Sequence, residues 1–302
     1  MMGAALNVER HCVTVQETSL YIGRSITIVV ATLLAVSACS DRSGHSSPRV
    51  VSEFELVTAQ QWQHLSERAV YFGHQSVGEN IVDGIRLLKV EMPQLENLRI
   101  VAPASGPSTP GLRDFLIGEN GDPGSKNAAF AAATQGALGA KPVLMFKYCY
   151  VDIDEKTDPR MLFARYAETV AALRTRHPEA VVVHVTMPLT TDSRIRNWVN
   201  TLRGRPNRRT WNGIRSRYND LLRAAYGGKE PVFDLAALES TRSDGSTEHG
   251  TVGGERVYAL ADEWTTDGGH LNPAGRKRAA AHLLALLATL PESNQSIAKA
   301  NR

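Results

Sequence analysis

The chain has 302 residues, 42% of them hydrophobic and 22% charged, the balance of a soluble globular protein with one sizeable core. Its 34 basic and 31 acidic residues are scattered and leave a net charge of +3, which excludes both the footprint of a nucleic-acid binder and a polybasic membrane patch. Three cysteines, Cys12, Cys39 and Cys149, are too few and too unevenly placed for a disulfide framework.

In chain order the first feature is the apolar run ITIVVATLLAVSA, Ile26 to Ala38, which follows Arg24. It is shorter than the roughly 20 apolar residues of a membrane-spanning helix and reads as the core of a signal peptide, residues 1–39. Its end, Val36-Ser37-Ala38-Cys39, resembles a bacterial lipobox. That resemblance implies cleavage before Cys39, lipid on the cysteine, and an exported protein anchored in the cell envelope. The alternative is an uncleaved anchor or a buried N-terminal helix. Residues 40–50, polar and rich in serine, have too little apolar content to fold and suit a tether.

The folded domain is expected over 51–292, followed by a polar tail, 293–302. Candidate strands are Ala69 to Phe72, Leu98 to Ala102, Pro142 to Tyr148, Ala180 to Thr186 and Pro231 to Leu235. Several are nearly continuous apolar runs, as strands covered on both faces are. Between them, Asn80 to Val90, Met161 to Arg176 and Asn212 to Tyr226 place apolar residues at helical spacing, and a last helix runs from Pro273 to about Leu290. This alternation predicts βα units around a parallel sheet. The basic stretch Arg203 to Arg209 contains Gly204 and Pro206 and reads as a solvated loop, and Ser240 to Gly254, rich in Ser, Thr and Gly, as a long one.

Ligands of an open parallel sheet gather at the carboxyl ends of its strands. The first strand delivers Gly73-His74-Gln75-Ser76-Val77-Gly78, so Ser76 stands at a helix N-terminus, where N–H groups and the dipole favour an alkoxide and the oxyanion it creates. Serine is equally a favoured N-cap, and position alone does not separate the two roles. Near the other end lies Thr266-Asp267-Gly268-Gly269-His270-Leu271-Asn272. An aspartate three residues before a histidine can fix its tautomer and leave the other ring nitrogen facing a nucleophile. The other histidines show no ligand spacing, so no metal site is expected.

Together these blocks resemble the SGNH/GDSL hydrolases, and the resemblance spans roughly Val70 to Leu287. It implies a three-layer α/β/α sandwich with a central parallel sheet, flavodoxin-like in class, and a triad of Ser76, His270 and Asp267. Gly73 and Ser76 match the family's first block, with His74-Gln75 where a single aspartate stands. The block Ala104 to Thr109 matches the second, which implies oxyanion donors in the N–H groups of Gly106 and Ser76. The third block departs from the pattern. Where the family has an asparagine, Lys147-Tyr148-Cys149-Tyr150 follows the strand, Cys149 aligns with the missing amide, and a thiol is a poor donor. Asn120 and the ammonium of Lys147 are the candidate substitutes.

Cys149 is expected to pack as a small hydrophobe, His184 to be a satisfied core histidine, and His74 has no assigned part. Trp264 and Tyr258 flank the Asp-x-x-His loop as a substrate wall or as loop anchors. The expected chemistry is ester hydrolysis by acyl transfer, needing no cofactor, on a small-molecule or glycan ester, with a carbohydrate O-acetyl ester the first choice. The rival readings are an O-acyltransferase with the same triad and a non-catalytic glycan-binding lipoprotein on the same fold.

Overall fold

Strand β1, Ala69–His74, is buried along its whole length, as its apolar run requires of a central parallel strand. In the computed structural model, which describes residues 54–102, 106, 109–192, 202–203 and 208–293, it lies mid-sheet. The predicted signal peptide, Cys39, the tether 40–50 and the tail beyond Ser293 lie outside the described residues. With β2 (Ile100–Val101), β3 (Gly111–Leu116), β4 (Val143–Phe146) and β5 (Val181–Val182), the sheet has the order β2-β3-β1-β4-β5. Every neighbouring pair in it is parallel. At Val183 the chain changes partner: its N–H bonds Leu144 O, whereas the His184 N–H bonds Pro231 O. Strand β6, His184–Val185, therefore pairs with β7, Val232–Phe233, and carries the parallel arrangement outward.

Helices cover both faces. They are α1 (Ala59–Ser66), α2 (Val77–Glu91), α3 (Pro123–Ala133), α4 (Pro159–Arg176), α5 (Arg208–Tyr226), the short α6 (Leu235–Ser240) and α7 (Pro273–Ala288). Alternate strand residues feed separate cores, as the period of a strand dictates. Val70, Phe72, Val143 and Met145 join α1, α2 and α7 on one face. Tyr71, Leu144, Phe146 and Val182 join α3, α4 and α5 on the other. The architecture has the parallel sheet that the pattern predicts and is the three-layer α/β/α sandwich that the resemblance implies. Three helices start with an Asp or Asn cap followed by proline: the side chains of Asp122, Asp158 and Asn272 accept N–H bonds from the first turns of α3, α4 and α7.

The structure corrects the sequence reading in three places. Strand β3 and helix α3 were not expected, because Arg113 and Asp114 break the apolar run of the strand and α3 is mostly small residues. As a result β3, not β2, lies beside β1. The expected long loop is in part a β-hairpin of β8 (His249–Val252) and β9 (Glu255–Tyr258), turned by Gly253-Gly254, the kind of pair that tight hairpins use.

Candidate active site

Ser76 occupies the N-cap position of α2 with φ 56° and ψ −110°, and its side chain makes no capping bond. A positive φ at a non-glycine residue is strained, and here it turns the hydroxyl out of the helix end at the carboxyl edge of β1. The Oγ meets His270 Nε2 at 2.8 Å. The capping role that position alone allowed is therefore not the one the hydroxyl fills.

On the far side of the imidazole, His270 Nδ1 lies 2.6 Å from Asp267 Oδ2. The other carboxylate oxygen, Oδ1, accepts the backbone N–H groups of Gly269 at 2.8 Å and His270 at 2.7 Å. Gly268 makes this fold-back, with φ +83°. Burial acts to raise the Asp267 pKa, but hydrogen bonds from the His270 backbone and ring and from the Gly269 N–H outweigh it and hold the carboxyl well below its ordinary range. An ionised Asp267 takes the Nδ1 proton as its partner, which leaves Nε2 as acceptor for the Ser76 hydroxyl. Side-chain exposures of 42% for His270 and 54% for Asp267 put the array at the surface, within reach of a large substrate.

Because β3 stands between β1 and β2, Gly106 is not brought to Ser76. The loop after β2 begins two strands, roughly 9.5 Å, from β1, and the Gly106 carbonyl accepts a bond from Arg113 at 2.8 Å. The loop that borders Ser76 follows β3 instead. Gln75, next to Ser76, donates its side-chain amide to the carbonyls of Ile117 and Gly118. Two residues on, Asn120 Oδ1 accepts a bond from Lys126 Nζ at 3.0 Å. With its oxygen so engaged, the Asn120 Nδ2 is the end left for an external acceptor.

Lys126 is fully buried and reaches both oxygens of the equally buried Asp152, at 2.7 and 2.6 Å. Asp152 also accepts the N–H groups of Gly121 and Cys149. The ion pair thus ties helix α3 to the loop after β4, and the Gly121 N–H brings the loop after β3 to the same carboxylate. No sequence motif signals it, since the partners lie in separate blocks.

Neither Lys147 nor Cys149 offers a donor to the open site. Both are buried, and the Lys147 ammonium turns inward to the Cys149 sulfur at 3.3 Å. Lys147 is thereby corrected as an asparagine substitute, and Cys149 is packed, as expected. His74 is buried with neither ring nitrogen hydrogen-bonded, its Nε2 3.9 Å from Asp114. Burial lowers its pKa against the opposing pull of Asp114, so it packs as a neutral ring beside Phe72. His184 is held in the core by the Tyr166 hydroxyl and Glu230. Trp264 donates its indole N–H to Thr241 O and anchors its loop.

Sequence reasoning missed Tyr150. Its hydroxyl lies 3.4 Å from His270 Nε2, and the signal was its place just past the carboxyl end of β4, beside the position that lacked an asparagine. A depression of 470 Å³ opens next to these loops, lined by Gly121, Pro123, Val151, Ile153, Met161 and Arg165 among others.

No protein-family model matches the sequence, and neither does any curated protein. Among solved structures the fold is similar to a GDSL-like lipase from Bacteroides thetaiotaomicron, 14% identical over 84% of this chain and 98% of that one, TM-score 0.46. It is also similar to a lipase/acylhydrolase from Enterococcus faecalis, 15% identical over 74% and 95% of the two chains, TM-score 0.42. A third is an acetyl xylan esterase, 13% identical over 72% and 97%, TM-score 0.42. Likenesses this distant carry nothing about activity, so what the chain does follows from its own residues.

Proposed function

We propose that the chain is a serine esterase of the SGNH/GDSL type, exported and held in the cell envelope by lipid on Cys39. Its substrate is a small-molecule or glycan ester, with a carbohydrate O-acetyl group the first choice. One observation carries the reading: a serine strained out of its helix cap is within 2.8 Å of a histidine whose other nitrogen is 2.6 Å from a carboxylate. Neither a cap nor a binding surface needs that chain of contacts.

In this reading Ser76 attacks the carbonyl carbon as His270 Nε2 takes its proton. Asp267 holds the imidazole and stabilises its charged form. The oxyanion is met by the N–H of Ser76 at the start of α2, by the Asn120 amide, and by Gly118, which takes the part first given to Gly106. His270 then protonates the departing alcohol. Water repeats the sequence on the acyl-enzyme and frees the acid. The surface position of the triad suits a sugar or polymer better than a deeply inserted acyl chain.

The test is labelling by a fluorophosphonate together with turnover of p-nitrophenyl acetate. Wild type and Cys149→Ala are expected to show both, and folded Ser76→Ala and His270→Ala neither. A dead Cys149→Ala beside a fully active Ser76→Ala sinks the nucleophile assignment. A wild type neither labelled nor active leaves the glycan-binding reading, and acyl transfer to an added sugar in place of hydrolysis makes the protein an acyltransferase. Anchoring is tested separately by Cys39→Ala, which should be released from membranes or left unprocessed.

A further inference from the structure

The esterase reading assigns the nucleophile, base and acid but leaves a poor leaving group, a sugar or alkyl alkoxide, with only the His270 proton to help it depart. We propose that Tyr150 is a catalytic residue whose hydroxyl hydrogen-bonds the leaving-group oxygen as His270 protonates it. The inference rests on Ser76 being the nucleophile.

Position decides the role. The leaving oxygen must approach His270 Nε2 to receive its proton, whereas the oxyanion points away from the imidazole, toward the N–H groups at the start of α2. The Tyr150 hydroxyl lies on the imidazole side, 3.4 Å from the same Nε2 that meets Ser76 Oγ at 2.8 Å. It therefore borders the site of the departing alcohol, not the oxyanion.

The residue is also held in place. Its carbonyl accepts two bonds from the buried guanidinium of Arg215, from Nε at 3.1 Å and Nη2 at 2.6 Å. Its ring meets the imidazole edge-on, with centroids 5.7 Å apart and planes at 72°. Gly269 makes room for it, since a Cβ there would lie 3.0 Å from the tyrosine hydroxyl. Burial raises the Tyr150 pKa above its ordinary value, against the opposing effect of Ser76, so the phenol keeps its proton at neutral pH and acts as a donor.

In the step itself the bond between the carbonyl carbon and the leaving oxygen breaks and its electron pair goes to that oxygen. The proton on Nε2 follows to the same atom. Tyr150 keeps its own proton throughout and stabilises the oxygen while its negative charge is greatest. Water occupies the same place in deacylation.

Tyr150→Phe removes only the hydroxyl. The experiment compares kcat/KM, which reports acylation, across a series of acetates from p-nitrophenyl through phenyl to methyl acetate. The variant is expected to lose at least about ten-fold on methyl acetate and less than about three-fold on p-nitrophenyl acetate, whose good leaving group needs little help. Its labelling by a fluorophosphonate should stay near the wild-type rate, because fluoride is a far weaker base than an alkoxide and needs little stabilisation as it departs. Equal losses along the series, as a structural role or an oxyanion contact produces, overturn the proposal, and so does no loss anywhere. If wild type itself is not labelled, the nucleophile reading falls and this inference with it. A labelled wild type with equal losses in the variant rejects the Tyr150 role alone.

Discussion

Asn80 Oδ1 accepts a hydrogen bond from the Leu271 N–H at 2.9 Å. Asn80 lies one helical turn beyond Ser76 on α2, and Leu271 directly follows the base His270. The nucleophile's own helix therefore fixes the backbone of the loop that carries the base, and the 2.8 Å contact between Ser76 and His270 does not depend on those two side chains alone. Asn80→Ala leaves a buried N–H without its partner, at a cost of about 1–3 kcal/mol. Its kcat/KM should fall even at temperatures where it is fully folded. Denaturant unfolding and kinetics measured side by side check this, and a destabilised variant with wild-type kcat/KM rejects the positioning role.

The φ of 56° at Ser76 is a strain that glycine does not feel. Ser76→Gly should unfold at higher denaturant than Ser76→Ala, by about 1 kcal/mol, and both should be inactive. The order of the two midpoints is the measurement. If the alanine variant is the more stable, the backbone at residue 76 is not strained.

Lys126 and Asp152 are both fully buried in side chain, so removing the lysine alone leaves an uncompensated charge. Lys126→Met is expected to cost about 3–5 kcal/mol. Adding Asp152→Asn removes that charge while keeping an acceptor for the Gly121 or Cys149 N–H, and should recover much of the loss. Activity should not recover with it, since Asn120 has lost the ammonium that engages its oxygen. Thermal melts of the single and double variants, with kcat/KM for the double, separate the two effects.

The acid limb of the pH–rate profile should carry one ionisation. Asp267 is held below the ordinary carboxylate range, so at any pH where an imidazole changes charge it is already ionised. Its sign is that of a depressed carboxylate, with the contribution lost only as pH falls through its low folded value. The base must be neutral to accept the Ser76 proton, so log kcat/KM should drop with a slope of one toward acid. A slope of two, or no fall in rate toward acid when chemistry limits turnover, speaks against the pair.

The layers and the outer blocks of the site were legible because their signals are local. An apolar run such as Val143 to Phe146 states its own burial, and Asp267-x-x-His270 carries its fold-back in the two glycines it encloses. Strand β3 was not legible, because Arg113 and Asp114 break its apolar run: Arg113 bonds the Gly106 and Thr109 carbonyls just before the strand and lies over the Tyr71 ring, while Asp114 faces Arg86, and a window of sequence shows none of these placements. Missing that strand misplaced the second block by one position in the sheet and put Gly106 where the loop after β3 belongs. Asn120 was named for its residue type, but its orientation depends on the buried Lys126 and Asp152, whose pairing is a property of the fold. Tyr150 was passed over for the same reason: only the closure of α7 brings His270 to it.

The nucleophile and its base lie 194 residues apart in the chain, and the helix that follows the base, α7, also supplies Leu283, Leu284 and Leu287 to the core. A polypeptide leaving the ribosome therefore carries Ser76 for most of its synthesis with no group able to activate it. Under the proposed mechanism Ser76 gains its base only when the last helix has closed on the sheet, so a truncated or half-folded product carries an unactivated serine.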